Sequence, residues 1–352
     1  MVIVARARTL PSTEADALLA LCAEISRQAY SNHIVCLQDD PLLSWFDIST
    51  ANRIRTLEVA VRKLLLGEMV ITQQGVNFER ISSISATFYV ALFNVLNHIS
   101  KSLKTSNPTW LRKPDQEERK ICIDSDQIIR LFQIEIQNIS KAVAERVNKS
   151  LFTPGRVTLR AADSTEKLCI SDIDLVLTSP PYCTRIDYTS ATSLQLAVLY
   201  PLNNMRIDHL SRRMVGSIRV PTEEITTSPN WGVKCLEFLG QVYDHPSKAS
   251  NGYYYKTHID YYNKMYKSLK NISAAIKPGG LAILVAQDSY YKEIHNDVPT
   301  IIAQFADTIG LALERKDDFA VKRSMLGIHR HSKTYRQRHS TIESVICLRK
   351  SI

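Results

Sequence analysis

Residues 173–182 read IDLVLTSPPY. The first six form a near-continuous apolar run, the pattern of a parallel strand buried on both faces. The last four stop it abruptly. Proline fixes its own backbone and has no N–H, so two in succession end sheet pairing and leave a stiff loop. In open parallel sheets ligands gather outside the carboxyl ends of the strands, and TSPPY lies at such an end. The loop offers carbonyl oxygens with no adjacent donor, the hydroxyl of Ser179 and the flat face of Tyr182. That set suits a planar ring carrying an amino group, such as cytosine or adenine. The plainer alternative is a Pro-Pro loop whose tyrosine caps the core.

Working outward, the stretch belongs to an α/β pattern that begins at TPGRVTLRAADS, residues 153–164. Strands are expected at 157–162 (VTLRAA), 173–178 (IDLVLT) and 281–287 (LAILVAQ). Two late strands, LALERKDDFAV and ESVICLR, suit antiparallel pairing. Helices are expected at 256–276, ended by the KPGG turn of Lys277–Gly280, and at VPTIIAQFADTIG, ended by Gly310. Residues 1–150 read instead as mostly helical. STEADALLALCAEISRQAY opens with a Ser/Thr cap and acidic residues. RIRTLEVAVRKLLLG stops at Gly67. ISSISATFYVALFNVLNHISKSLK is apolar round much of its circumference and so buried. DSDQIIRLFQIEIQNISKAVAERVNKS opens with an Asp/Ser cap. The expected organisation is a mostly helical region over 1–150 and a catalytic α/β portion over 151–352.

The composition, 45% hydrophobic and 22% charged, is that of a globular protein that buries a sizeable core. The net charge of +9 favours an acidic partner. The seven cysteines show neither a CxxC pair nor a metal-like Cys/His spacing, as expected for reduced thiols and no metal. MVIVARARTL lacks a signal-peptide core, and no apolar run approaches the ~20 residues that span a bilayer. A cytoplasmic protein with no membrane partner is expected.

DLVLTSPPYCTRIDY resembles the catalytic loop of S-adenosylmethionine-dependent amino-group DNA methyltransferases, above all the N4-cytosine type, in which Ser precedes Pro-Pro-Tyr. LSRRMVGSIRV, KPGGLAILVAQDSYYKEI and ESVICLR are similar to further stretches of that family, in its order. The likeness covers roughly 155–350, and more loosely NPTWLRKP and IVARARTL. It implies a class I, Rossmann-like sheet and site-specific methyl transfer to cytosine N4 in double-stranded DNA, within a restriction–modification or defence system. The alternatives are N6-adenine DNA or tRNA guanine-N2 methylation, or a non-catalytic nucleic-acid-binding remnant. The target base would be flipped into the pocket. The catalytic residues implied are Ser179, Pro180, Pro181 and Tyr182: Ser179 and the Pro180 carbonyl accept the amino hydrogens, and Tyr182 stacks on the base. Asp163 and Thr178 are the implied cofactor contacts. Cys183 reads as an apolar filler, and Asp288, Ser289 and Tyr290 as pocket lining or turn.

Cations on irregular stretches are candidate phosphate contacts. They lie in RIDHLSRRMVGSIR, with Arg212 and Arg213, and in KRSMLGIHRHSKTYRQRH, with Lys333 and Arg336. Arg185 and Tyr188, just past the loop, either brace it or touch DNA. Trp110 reads as a loop anchor on the core, or else a recognition wedge with Arg112 and Lys113.

One part of the family pattern is missing. No glycine loop for the cofactor occurs, and none of the 11 glycines forms GxG. The chain therefore resembles the rear portion of a methyltransferase, an incomplete class I sheet. The absent strands would leave an inner edge unpaired and apolar faces open. A second polypeptide supplying the glycine-rich half is the expected partner.

Overall fold

A computed structural model describes residues 1–67, 71–72, 75–105, 110–148, 155–183, 186–202, 207–321 and 341–352. The chain packs as two compact units, Met1–Ala161 with Thr192–Met205, and Ala162–Ala191 with Arg206–Ile352.

The first unit is helical. It contains α1 (Val2–Ala7), α2 (Ala15–Ser31), α3 (Ile48–Leu65), a small antiparallel pair β1 (Ile71–Thr72) and β2 (Gly75–Val76), α4 (Ser83–Ile99) and α5 (Ser125–Ala144). Side-chain caps set several starts: Asp47 accepts from the Thr50 amide, Ser82 from Ser85, and Asp124 from Asp126 and Gln127. The Ser/Thr cap expected for α2 is instead a short 3-10 turn over Ser12–Glu14, with no side-chain cap. α4 is buried on most sides, as its all-round apolar sequence requires. A polar cluster lies inside this unit. Arg55 of α3 grips Asp40 through two nitrogens, at 2.9 and 3.0 Å, and both groups are buried. Its guanidinium also donates to the carbonyls of Ala197 and Val198, which binds the segment after the TSPPY stretch into the helical unit. Trp110 does not anchor a loop: it is 49% exposed, and Trp45 is the buried indole, with the Lys113 ammonium 5.2 Å from its ring centre. Its neighbour Leu111 is the residue that packs against the core.

The second unit is α/β. Its elements are β3 (Ile173–Thr178), α6 (Tyr188–Ala191), α8 (Ile207–Arg213), α9 (Gly232–Asp244), α10 (Tyr255–Ala275), β4 (Ile276–Gln287), β5 (Ser289–Tyr291), β6 (Ile294–Asn296), α11 (Val298–Asp307), β7 (Leu311–Val321) and β8 (Thr341–Lys350). The short α7 (Ser193–Leu199) between them in sequence belongs to the first unit. The mixed four-stranded sheet runs β3-β4-β8-β7, with β3 parallel to β4 and the other pairs antiparallel. The two late strands thus pair as their sequences suggested. The KPGG stretch is part of β4, where it forms an irregularity between the Ile173–Ile276 and Leu175–Leu281 pairs. The preceding helix ends at Ala275.

Two expectations are corrected. Residues 157–162 form no strand: the segment has no regular secondary structure, and Val157 is 54% exposed. A strand needs a neighbour to satisfy its backbone groups, and no described strand pairs with this one. For the same reason β3 is not buried on both faces. Among the described residues it pairs only with β4, so it is an edge. α10 and α11 cover one face of the sheet, where Ala282, Leu284, Ala286, Ile346 and Leu348 are buried. Cross-strand register places Leu175, Leu177, Leu281, Ile283, Val285, Val345 and Cys347 on the other face. There Leu175 and Leu177 are 51% and 71% exposed, and the rest are half-buried. No described helix is long and apolar enough to cross a membrane.

Candidate functional site

The TSPPY loop leaves β3 at Thr178, whose register partner on β4 is Leu284. Pro180 has no N–H with which to continue the ladder, and the Ser179 hydroxyl donates to the Val285 carbonyl at 3.3 Å. That donation commits the one hydrogen of the hydroxyl. The lone pairs of an exposed Ser179 oxygen are left to accept from an incoming N–H. The two prolines next to it are half-buried. The Pro181 carbonyl accepts from the buried Tyr261 hydroxyl of α10 at 3.0 Å, so it is taken.

Other residues back the loop. Gly216 has φ +79°, and a β-carbon there would stand 3.5 Å from the Tyr182 carbonyl and 3.7 Å from Pro181. The space is ordinary contact; the backbone conformation is what requires glycine. Cys183 is buried in the core of this unit, the filler position expected of it. Tyr188 turns its hydroxyl to the Tyr182 backbone. Asp187 caps α6 by accepting from the amides and hydroxyls of Thr189 and Ser190. Burial alone would raise its carboxyl, but those donors outweigh burial and hold it below the ordinary range.

The Tyr182 ring is half-buried and its hydroxyl donates to a Glu343 carboxylate oxygen of β8. Burial first, and then this bond, push the phenol up to about 12; the nearby Ser179 hydroxyl acts in the opposite sense. Nothing local in the sequence pointed to Glu343, which lies 161 positions from Tyr182.

Of the two implied cofactor contacts, Thr178 opens the loop, while Asp163 is engaged by other partners. Oδ1 of Asp163 accepts from the amide and hydroxyl of Thr165, and Oδ2 accepts from Nε and Nη2 of Arg213. Arg213 also pairs with Glu166 at 3.0 Å. Burial would raise Asp163, but Thr165 and Arg213 outweigh it and lower the carboxyl. The next residue, Ser164, touches Ser268 on α10, seven residues beyond Tyr261. At 1.5 Å per residue that is about 10 Å along the helix from the level of the loop. Of the implied phosphate contacts, Arg213 is therefore ion-paired, while exposed Arg212 donates to the Val220 carbonyl at 3.1 Å. Arg185, Lys333 and Arg336 lie outside the described residues.

The residues after β4 are structural. Buried Asp288 accepts from the Ile342 amide at 2.9 Å and pairs with His295 at 3.0 Å. Buried Ser289 accepts from the Asn296 amide group. Tyr290 packs on the His295 ring. An open cavity of about 240 Å³, lined by Lys234, Glu237, Phe238, Gln241, His295, Asp297 and Ile301, includes no residue of the loop.

Comparison of the chain with protein-family models, with curated proteins and with solved structures finds no match. The site stands on its own chemistry: a rigid strand-end loop presenting an exposed serine hydroxyl, with a tethered aromatic ring two prolines away.

Proposed function

We propose that this chain is the base-holding subunit of a DNA methyltransferase that methylates the exocyclic N4 of cytosine from S-adenosylmethionine. The observation that carries this reading is the donation from Ser179 to the Val285 carbonyl. With its hydrogen on that carbonyl, the serine meets an incoming amino group as an acceptor. An amino nitrogen conjugated into a ring is a poor nucleophile, and accepting its hydrogens favours a more tetrahedral nitrogen with an available lone pair. Ser179 Oγ and the Pro180 carbonyl accept from the amino group of a flipped base, and the Tyr182 ring stacks on it. Held by two prolines, the acceptors are fixed before the base arrives.

Among the described residues none forms a holder for the cofactor. The Asp163 carboxylate is saturated by Thr165 and Arg213, about two turns of α10 from the loop. Thr178 alone remains at the strand end. The methyl donor is therefore assigned to a second polypeptide, which also extends a class I, Rossmann-like sheet beside β3. The exposed Leu175 and Leu177 and the open edge of β3 support that assignment. Double-stranded DNA is the proposed substrate, in keeping with the charge of +9.

The test is co-expression of the chain with each reading frame that flanks its gene, followed by mass spectrometry of nucleosides from the recovered DNA and tRNA. N4-methylcytosine in DNA is the expected product, dependent on one flanking frame. N6-methyladenine or N2-methylguanine would redirect the substrate. No methylated base under any pairing would overturn the reading.

A further inference from the structure

Tyr182 is held at both ends. At its backbone, Pro181 gives its carbonyl to Tyr261, and Tyr188 lies against the Tyr182 main chain. At the far end of the ring, the hydroxyl donates to Glu343. Glu343 itself is rigidly placed, with Gln287 opposite on β4 and Phe319 opposite on β7. A tyrosine side chain has two torsions. With its Cβ set by the loop, placing the hydroxyl oxygen fixes the first; the phenolic O–H prefers the plane of the ring, so pointing it at Glu343 sets the second. We propose that Glu343 is a positioning residue that sets the plane of the Tyr182 ring for the base stacked on it. This role rests on the base-methylating reading of the loop. The phenol, displaced upward to about 12, stays protonated and keeps donating throughout the physiological range. Glutamine at 343 would retain an acceptor at the same reach, whereas alanine would free the ring.

Two measurements are paired. The first uses the purified chain labelled with [13Cζ]tyrosine, the Tyr182 resonance being identified by its loss in Tyr182→Phe. The second measures methyl transfer in extracts of the host carrying each allele at the native locus. The acceptor is DNA from a deletion strain, with radiolabelled S-adenosylmethionine. Glu343→Ala is expected to move the Tyr182 resonance and to slow methyl transfer about tenfold or more, the range of a charge-assisted bond. Tyr182→Phe, which keeps the ring but loses the tether, should slow it equally, and the double variant no further. Glu343→Gln should remain within about threefold of wild type. A resonance unmoved by Glu343→Ala overturns the pairing. A moved resonance with unchanged or additive rates overturns the positioning role. A moved resonance with no transfer by the wild-type extract defeats the methylation reading and the role with it, while the pairing survives.

Discussion

The open face of the sheet makes a quantitative contrast between two leucines. Leu284 on β4 is 1% exposed among the residues under α10 and α11, and Leu177 on β3 is 71% exposed on the opposite face. Truncating a buried leucine to alanine loses its transfer free energy and leaves a cavity, at a cost of about 2–5 kcal/mol. Truncating Leu177 removes a side chain still largely in water, so the cost is within about 0.5 kcal/mol. The same exposure measures what a partner gains. Full burial of a leucine is worth about 1.5–3 kcal/mol. Exposures of 51% and 71% therefore leave Leu175 and Leu177 with about 2–4 kcal/mol to contribute on being covered. That equals roughly 30- to 700-fold in affinity. The assay is urea-dependent hydrogen exchange of peptides from β4 and β8, which reports this unit separately from the helical one. Leu284→Ala should lower protection by the full amount and Leu177→Ala hardly at all. A loss above about 1.5 kcal/mol for Leu177→Ala would show that its face is already covered in the free chain, and the second polypeptide would then be unnecessary to the sheet.

Three further outcomes follow from particular contacts. Arg55→Ala leaves the buried Asp40 carboxylate unpaired and uncaps two carbonyls, so denaturation of the helical unit should show a loss of about 3–5 kcal/mol. Tyr261→Phe removes the donor to the Pro181 carbonyl and should cost the α/β unit about 1 kcal/mol in the same urea assay, with Tyr182 and Cys183 amides exchanging faster. His295 is raised above its ordinary value, chiefly by its bond to Asp288, with burial opposing. Its contribution is fully present below the unfolded value of about 6.5 and is lost as pH rises through the elevated folded value. Amides of 289–296 should lose protection, corrected for intrinsic rates, between pH 6 and pH 9. They should not do so in Asp288→Asn.

Some of this architecture was legible in the residues. LALERKDDFAV spans β7 from end to end. β3 and the helices α2, α3, α4 and α5 were equally plain, whereas α7 was not read as a helix. VTLRAA carries the same local signal as a strand yet forms none, since strand formation depends on a neighbour that the residues themselves do not reveal. α9 was overlooked although Cys235, Phe238, Leu239 and Val242 recur at helical spacing, all buried. At the site, the Pro-Pro stop and the tyrosine were readable from chain chemistry. The bond from Ser179 to Val285, the Glu343 tether and the capture of Arg213 by Asp163 join residues far apart in sequence. Only the fold brings them together.

The central claim is that Ser179 offers its oxygen, with no spare hydrogen, to the amino group of a base. The most direct test compares N4-methylcytosine in DNA from the host carrying wild-type or Ser179→Ala at the native locus, by nucleoside mass spectrometry. Removing one preorganised hydrogen-bonding group from a transition state costs about 10²-fold or more. The account predicts N4-methylcytosine in the wild type and its loss in Ser179→Ala, with the variant's folding intact. Equal N4-methylcytosine in the two strains would contradict it.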